Sequence, residues 1–356
     1  MKSFMQLVIN PGSTSTKIAV FKDLEPIDST NLRHSNKDLS SYSTMAEQFE
    51  YRRNLVMEAL ENSGVSLEEL DSVIGRGGLL KPIPGGTYLV NENMMKDLRF
   101  AERGSHASNL GGLLAHSIAD ILNIPAFIVD PVCIDEMEPI ARISGMPENP
   151  RESLFHALNQ KEIARRAAEE MRREYDQVNL VVAHLGGGIS VGAHLKGRVI
   201  DVNNAVGGEG PFSPERTGGI PAARLVELCF SGQYTEEEML KRLVGNGGLV
   251  AYLGTNDAME VENRIRQGEE KARLVYEAMA YQVAKEIGAC STVLKGSVDA
   301  VVITGGLAHS EMLVGLIIDR ISFIAPVKVF PGEDELKALA AGGLRVLAGI
   351  EEAKNY

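Results

Sequence analysis

Apolar residues in this chain gather into short runs that end at turns rich in glycine, and one such pattern occurs twice. The first copy covers residues 7–21 and the second covers residues 181–195. In register, Asn10 of the first copy corresponds to His184 of the second. An apolar run, a turn of small residues and a second apolar run predict a β-hairpin in each place.

The two turns share a composition suited to holding an anion. Small residues let a backbone approach a ligand closely, and successive N–H groups of such a turn form a nest for an anion. Ordinary turn chemistry explains one hairpin, but hydroxyl and ammonium side chains fill every position from 13 to 17. We therefore predict a duplicated phosphate clamp that closes on a nucleotide from opposite sides. The binding residues are predicted to be Asn10, Gly12, Ser13, Ser15 and Lys17 in the first copy and Gly186, Gly187 and Gly188 in the second.

Periodic segments along the rest of the chain alternate between the two kinds of secondary structure. The patterns predict helices over 45–63, 92–102, 108–122, 159–174, 221–230, 235–242, 257–294 and 335–350. They predict further strands over 73–75, 126–130, 299–303 and 327–330. Alternation of strands and helices in both halves favours two α/β lobes with a cleft between them.

Composition limits the partners of these lobes. At 356 residues the chain has room for two cores, and 44% hydrophobic with 24% charged residues is typical of a soluble globular protein. A net charge of −12 without a local basic cluster argues against nucleic acid as a partner. An anion site must therefore be built locally, from backbone amides, arginine and a metal ion.

Targeting signals and cysteine pairs are not evident in the sequence. The first residues show no signal-peptide pattern, and no apolar run approaches the roughly 20 residues of a membrane span. We expect a cytoplasmic protein with no membrane partner. The three cysteines are far apart, which predicts buried thiols rather than disulfides or a zinc site.

A third turn rich in glycine follows the predicted strand 299–303. Thr304, Gly305 and Gly306 precede a helical segment, so their amides could hold phosphate or let a purine ring lie flat on the backbone. A tight turn between strand and helix is the alternative interpretation. Gly186, Gly188 and Gly192 do not form a dinucleotide-binding motif, because a strand rather than a helix is predicted after them.

Two arginines lie in loops bounded by glycine. Arg76 is followed by Gly77 and Arg216 precedes Gly218, which gives each guanidinium room to bind a carboxylate or a phosphoryl group. Most arginines are simply exposed on the surface, and the flanking glycines favour function here.

Titratable residues also lie beside these motifs. Of the histidines His106, His156 and His184, the last lies inside the second turn and is the strongest candidate. Asp130 ends a strand, where a carboxylate either directs chemistry or caps a turn. The acidic residues 333–335 begin the last helix, where they favour the helix dipole without any further role.

These motifs together resemble the acetate and butyrate kinase family of the sugar kinase, Hsp70 and actin superfamily. Residues 10–17 are similar to the family's N-terminal signature, residues 184–190 to its second phosphate motif and residues 304–306 to its adenosine motif. The resemblance covers nearly the whole chain. It implies an α/β fold with two actin-like (ribonuclease H-like) lobes, each built on a duplicated, mixed five-stranded sheet, and a central nucleotide cleft.

The resemblance also implies roles and domain limits. The implied catalytic residues are Arg76, Arg216, His184, Asp130, His156 and His106. The implied ligands of Mg²⁺ are Glu333, with an ambiguity of one or two residues, and Asp130. The implied adenosine site includes Gly305 and Gly306. The first lobe would comprise 1–132 with 337–356 and the second 133–336, although the sequence alone equally allows a boundary near 178.

Two segments are similar to the butyrate kinase branch. They are residues 155–160 and 212–219, and Gly187 stands where acetate kinases carry asparagine. The implied function is ATP-dependent phosphorylation of a short-chain fatty acid such as butyrate or isobutyrate, with ATP and Mg²⁺ as cofactors. An acetate or propionate kinase and a non-metabolic ATPase of the same fold are the alternatives. The family also implies a homodimer or higher homo-oligomer.

Overall fold

The computed structural model describes residues 2–356. The chain folds into two compact units. The first comprises the residues up to Ile134 together with Asp334–Tyr356, and the second comprises Asp135–Glu333. The chain thus leaves the first unit once and returns to it for its last helix.

Each unit contains one β-sheet. The strands are β1 (Met5–Pro11), β2 (Ser15–Lys22), β3 (Glu25–Arg33), β4 (Ser72–Arg76), β5 (Thr87–Leu89), β6 (Ala126–Val129), β7 (Asn179–Leu185), β8 (Ile189–Leu195), β9 (Arg198–Val202), β10 (Ala300–Gly305) and β11 (Val327–Pro331). The order is β3-β2-β1-β4-β6-β5 in the first unit and β11-β10-β7-β8-β9 in the second.

The α-helices flank these sheets. They are α1 (Asn36–Leu39), α2 (Phe49–Ser63), α3 (Glu92–Phe100), α4 (Asn109–Leu122), α5 (Ala157–Glu170), α6 (Ala222–Cys229), α7 (Glu236–Leu243), α8 (Gly248–Leu253), α9 (Ala258–Arg266), α10 (Glu270–Val293), α11 (Glu311–Ile321) and α12 (Glu335–Leu347). Short 3₁₀ turns lie between them, including Gly306–His309 after β10.

The two sheets repeat one pattern of pairing. In the first, β1 pairs with β2 in antiparallel and with β4 in parallel orientation, and β4 pairs in parallel with β6. In the second, β7 pairs with β8 in antiparallel and with β10 in parallel orientation, and β10 pairs in parallel with β11. The first sheet carries one additional antiparallel edge strand, β5. The predicted duplication and mixed sheets are confirmed.

Some predictions of secondary structure were wrong in detail. The first sheet has six strands among residues 2–356 rather than five, because the short strand Thr87–Leu89 joins its edge. The single helix over 257–294 is two helices, because Gly268 between them has a left-handed φ of 90°. Strands Glu25–Arg33 and Arg198–Val202 were not predicted. The first of these is only partly buried, so its hydrophobic signal is weak.

Helix α4 lies directly against the backbone of strand β4. A Cβ atom on Gly75 would lie well under 3.0 Å from the Gly111 carbonyl, and one on Gly111 would be equally close to the carbonyl of Arg76. Only glycine permits so close an approach. The strand that carries Arg76 is therefore packed on one face directly against the backbone of helix α4.

Membrane-spanning helices are not found in residues 2–356, since none of their helices is both long and apolar enough to cross a bilayer.

Candidate active site

The first unit brings three predicted site residues to one edge of its sheet. Strand β1 pairs with β4 at Ile9 and Gly75, and β4 pairs with β6 at Arg76 and Val129. Because these three strands are parallel, their carboxyl ends meet at the same edge. Asn10, Arg76 and Asp130 stand at those ends.

Glu335, at the start of α12, completes this group. Its carboxylate forms an ion pair with Arg76 Nη1, and its Oε2 accepts a hydrogen bond of 2.7 Å from Asn10 Nδ2. Asn10 Oδ1 in turn accepts from Arg76 Nη1 at 3.3 Å. An asparagine, an arginine and a carboxylate are thus joined by hydrogen bonds at the first turn of α12, where the helix dipole favours negative charge.

Asp130 has an unusual backbone conformation. Its φ is 37°, in the left-handed region that aspartate tolerates better than most residues. Its Oδ1 accepts a 2.7 Å hydrogen bond from the Gly86 amide, and its own amide donates to the Gly86 carbonyl. These two bonds hold the buried carboxylate at the end of β6.

His106 is held as a neutral imidazole by its neighbours. The Ser108 amide donates to His106 Nδ1 at 3.2 Å, so this nitrogen is an acceptor and the proton lies on Nε2. Burial, with a smaller contribution from the positive charge of Arg76, lowers the pKa of His106. The ring can therefore donate a hydrogen bond from Nε2 without carrying charge.

The second unit has an equivalent edge. His184 pairs with Thr304 where β7 and β10 run in parallel, and Gly305 pairs with Pro331 of β11. The turn Gly186–Gly188, the Gly305–Gly306 turn and Glu333 follow these strand ends. All predicted site residues of this unit except Arg216 and His156 are thus placed by the sheet.

Two histidines stack at this edge. The rings of His156 and His184 lie 3.9 Å apart with an interplanar angle of 13°. His184 Nδ1 is 2.7 Å from Asn159 Oδ1, and its Nε2 lies 3.1 Å from Glu333 Oε1. Among residues 2–356 that Nε2 makes no well-aligned hydrogen bond. The ring is thus fixed on one side, with its second nitrogen close to a carboxylate.

A buried hydrogen-bond chain starts at His156, which precedes α5. His156 Nδ1 is 2.8 Å from Ser190 Oγ. Gln160 Nε2 donates to both the carbonyl and the Oγ of Ser190, at 3.0 and 2.8 Å. Since a carbonyl only accepts, this fixes the Gln160 amide, and its Oε1 accepts from His194 Nε2 at 3.0 Å. His194 Nδ1 then accepts from the Tyr175 hydroxyl at 2.7 Å.

His194 is fully buried, which lowers its pKa well below the usual range and keeps the ring neutral. A neutral His194 can donate from Nε2 to Gln160 and accept at Nδ1 from Tyr175, as the chain requires. Ser190 Oγ already accepts from Gln160, so its own proton is available for His156 Nδ1. The chain therefore favours a His156 whose proton lies on Nε2.

Arg216 lies against the second glycine turn. A Cβ atom on Gly188 would be well under 3.0 Å from its Nη1, so only glycine leaves room for the guanidinium. Arg216 Nη1 donates to the Ala205 carbonyl, and Ser213 Oγ donates to the Gly187 carbonyl at 2.6 Å. Burial lowers the pKa of Arg216, while Glu215 opposes the shift. An arginine is nevertheless charged at any physiological pH.

The turn after β10 is also built for close approach. Gly305 has a φ of 92°, and a Cβ atom there would collide with the backbone of Leu185. A Cβ atom on Gly306 would meet nothing within 4 Å. Gly305 is therefore required by the fold, and Gly306 leaves open space above the turn.

Mg²⁺ would suit the carboxylates of these strand ends. Among residues 2–356 no group of three or more His, Cys, Asp or Glu side chains forms a metal cluster. Mg²⁺ bound with a nucleotide needs only one or two carboxylates, since phosphates and waters supply its other ligands. The hard oxygen donors Asp130 and Glu335 in the first unit, and Glu333 in the second, fit that requirement. Of the acidic segment 333–335, Glu335 is the residue that pairs with Arg76 within the first unit.

Three residues of these groups were missed by the sequence analysis: Arg52, Asn159 and Gln160. Arg52 contacts the first hairpin turn, and the other two contact Ser190 and His184. A signal for Arg52 was available, because Arg52, Val56 and Leu60 follow one another at helical spacing and all face the core.

A cavity of about 620 Å³ lies elsewhere in the second unit. Arg151, Asp201, Glu209, Glu286 and Cys290 are among its lining residues. None of the predicted site residues lines it. This cavity is therefore separate from the groups at the strand ends.

Solved structures share this architecture. The chain superposes on acetate kinase from Porphyromonas gingivalis with a TM-score of 0.77 at 20% identity, covering 97% of this chain and 100% of that one. It superposes on a propionate kinase from Francisella tularensis with a TM-score of 0.74 at 19% identity, covering 95% and 98%. The fold is thus the actin-like α/β fold of the acetate and propionate kinases, as predicted.

Sequence comparisons define the family within that fold class. Residues 150–328 match the model of the acetokinase family. The chain is 56% identical to butyrate kinase 2 of Clostridium acetobutylicum over 353 residues, which is 99% of both chains. The chain belongs to the acetokinase family, and the predicted resemblance is confirmed.

Proposed function

We propose that the chain is an ATP-dependent carboxylate kinase that converts a short-chain fatty acid, butyrate or a branched relative, reversibly into its acyl phosphate. The observation that carries this proposal is the 56% identity to a butyrate kinase along 99% of the chain. The arrangement of Asn10, Arg76 and Glu335 and of His156, His184 and Arg216 supports it, because these are the charged and hydrogen-bonding groups that phosphoryl transfer requires.

The nucleophile needs no general base. A fatty-acid carboxylate is fully ionised at neutral pH, unlike a sugar hydroxyl. The barrier is therefore electrostatic, since an anion must approach a γ-phosphate that is itself negative. Arg76 would bind the incoming carboxylate through its planar guanidinium, and this requires exchange of part of its ion pair with Glu335.

The transferring phosphoryl group carries its charge on three equatorial oxygens. Arg216, fixed against the Gly188 turn, would stabilise that charge. The stacked rings of His184 and His156 would lie beside the same oxygens, and His156 would donate a hydrogen bond to them from Nε2. The phosphoryl group would pass directly and in line from ATP to the carboxylate, without a phosphorylated residue of the protein as an intermediate.

The glycine turns would bind the nucleotide. The amides and hydroxyls of residues 12–15, Lys17 and the turn 186–188 would hold the β- and γ-phosphates, and Gly305 and Gly306 would lie under the adenosine. When bound, Mg²⁺ would neutralise phosphate charge. Asp130, with Glu335 or Glu333, would hold it directly or through water.

We also propose that the enzyme is a cytoplasmic homo-oligomer whose two compact units act as its functional lobes. Helix α6 exposes Val226 and Leu228, and Phe230 just after it is 87% exposed. Such apolar exposure is typical of an interface between chains. Light scattering at several concentrations would measure the mass, and a monomer at all of them would contradict this proposal.

The test of function is acyl phosphate formation, trapped with hydroxylamine as the hydroxamate. Mg-ATP would be offered with acetate, propionate, butyrate, isobutyrate and valerate. A maximum of kcat/KM at acids of four or five carbons is expected. A maximum at acetate or propionate would assign an acetate or propionate kinase instead, and ATP hydrolysis without any hydroxamate would assign an ATPase. Since one methylene is worth about 1 to 3 kcal/mol in a pocket, neighbouring acids should overlap.

A further inference from the structure

Arg52, on helix α2, lies behind the turn of the first hairpin. Its side chain is fully buried. Nη1 donates to the carbonyls of Gly12 and Ser15 at 2.8 and 3.2 Å, and Nη2 donates to the carbonyl of Ser13 at 3.1 Å. Nη1 also donates to Thr16 Oγ1 at 3.1 Å. One guanidinium thus binds three carbonyls and a hydroxyl of the same turn.

The remaining donors of Arg52 bind an uncharged side chain. Nε and Nη2 donate to Gln48 Oε1 at 3.1 and 2.8 Å. Among residues 2–356 no carboxylate lies within ion-pair distance of Arg52. His34, which is 2.9 Å from Thr16 Oγ1, supplies no negative charge either. A buried charge is normally paired, so this guanidinium lacks the counter-ion that burial usually demands.

The opposite face of the same turn has donors without acceptors. The Gly12 amide donates to the Ser15 carbonyl at 2.7 Å. In the part of the chain that the structure describes, the amides of Ser13 and Thr14 donate to no acceptor, and both residues are exposed. The carbonyls of Gly12, Ser13 and Ser15 are therefore directed to Arg52, while the amides of Ser13 and Thr14 face solvent as an anion nest requires.

We infer that Arg52 is a positioning residue for nucleotide binding: it holds the carbonyls of Gly12, Ser13 and Ser15 so that the free amides of the turn face the ATP phosphates, and its charge is balanced by those phosphates. This inference rests on the proposed function in that ATP is the nucleotide. The triphosphate supplies the anion that the protein does not provide.

The test compares Arg52→Gln and Arg52→Lys with the control Arg53→Gln. Arg53 is the next residue on α2; its guanidinium forms an ion pair with Glu50 and lies over the ring of Phe49, both on the same helix. Calorimetric titration would measure the Kd of Mg-ATP and of adenosine, and steady-state kinetics would measure the KM of butyrate. We expect Arg52→Gln to raise the Kd of Mg-ATP at least tenfold and to leave that of adenosine within twofold. Arg52→Lys should restore part of the loss, and Arg53→Gln should change neither.

Other outcomes would overturn the inference. Equal weakening of adenosine and Mg-ATP, or a lowered Tm with unchanged Mg-ATP binding, would give Arg52 a purely structural role. If Arg52→Gln does not fold, Arg52→Lys is the variant that decides. Lysine keeps the positive charge but lacks the planar guanidinium, so this variant should raise the Kd of Mg-ATP at least threefold. A wild-type protein that binds Mg-ATP but forms no acyl phosphate would refute the proposed function and leave this comparison intact.

Discussion

Arg76 pairs with Glu335 across the start of helix α12, whereas Glu333, two residues earlier, lies 3.1 Å from His184 in the other unit. The last acidic segment of the chain thus supplies one carboxylate to each compact unit. The two glutamates have different partners and should have different roles.

Exchange of these glutamates by glutamine tests that difference. Glu335→Gln removes the charge that orients both Arg76 and Asn10, so we expect kcat to fall by about 10²-fold, the usual loss for one preorganised charged group. The Mg²⁺ concentration at half-maximal rate should rise as well. Glu333→Gln is the matched variant and should affect kcat less. The reverse order of the two effects would assign the metal-directing role to Glu333.

Arg216 is expected to stabilise the transition state. Arg216→Ala should lower kcat by about 10² to 10³ with the fold intact. Arg216→Lys should recover little, since an ammonium group does not reproduce the planar fork. Circular dichroism would verify folding, and a kcat within a few-fold of the parent would remove Arg216 from the mechanism.

Gly188→Ala should displace the Arg216 guanidinium without changing the arginine itself. The added Cβ would occupy the position of the guanidinium, so we expect a loss of kcat approaching that of Arg216→Ala. The control is Gly315→Ala on helix α11, where a Cβ atom meets nothing within 4 Å. Parent-like turnover in Gly188→Ala would show that the position of Arg216 is not critical.

Gln160 is expected to fix the proton position on His156. Gln160→Met keeps the volume but breaks the hydrogen-bond chain, so kcat should fall about tenfold while the KM of ATP stays unchanged. Nitrogen NMR of labelled histidine would show a mixture of His156 tautomers. Tyr175→Phe, at the far end of the chain, should affect kcat less. An unchanged His156 spectrum in Gln160→Met would contradict this account.

His34 predicts how stability depends on pH. Burial, with a contribution from Arg52, lowers the pKa of His34 to about 4, against about 6.5 in an unfolded chain. Between these values the unfolded state binds more protons than the folded state, so the free energy of unfolding decreases as the pH falls from about 6.5 to about 4. His34→Gln should reduce this acid sensitivity. Urea midpoints at pH 7.5 and pH 5 would measure it, and parallel shifts in both proteins would refute it.

The sequence predicted those features that repeat or that follow a strand. The hairpins at Asn10 and His184 were found because their turns break an apolar run in the same way twice. Arg76 and Asp130 were found because glycine or proline marks the end of their strands. In the structure these residues stand at the carboxyl ends of parallel strands, as such signals imply.

The remaining features depend on contacts between distant parts of the chain. The start of α12 at residue 335 was predicted from the sequence, but the pairing of Glu335 with Arg76 depends on how that helix packs, which is not encoded locally. Gln160 looks like any polar residue of an amphipathic helix, and only strand β8 reveals its partner Ser190. Arg52 interrupts an apolar face, which is a visible signal, but its carbonyl acceptors lie 37 to 40 residues away.

The contact of Gly75 and Gly111 determines how this protein tolerates mutation. Neither glycine is assigned a bond to substrate or nucleotide, yet any side chain at either position would push helix α4 away from the strand that carries Arg76. In a saturation screen where growth depends on the kinase reaction, these two positions should therefore tolerate substitution as poorly as Arg76 itself. Natural variants at these glycines would be interpreted as active-site mutations, although they would act by displacing helix α4 from the strand that carries Arg76.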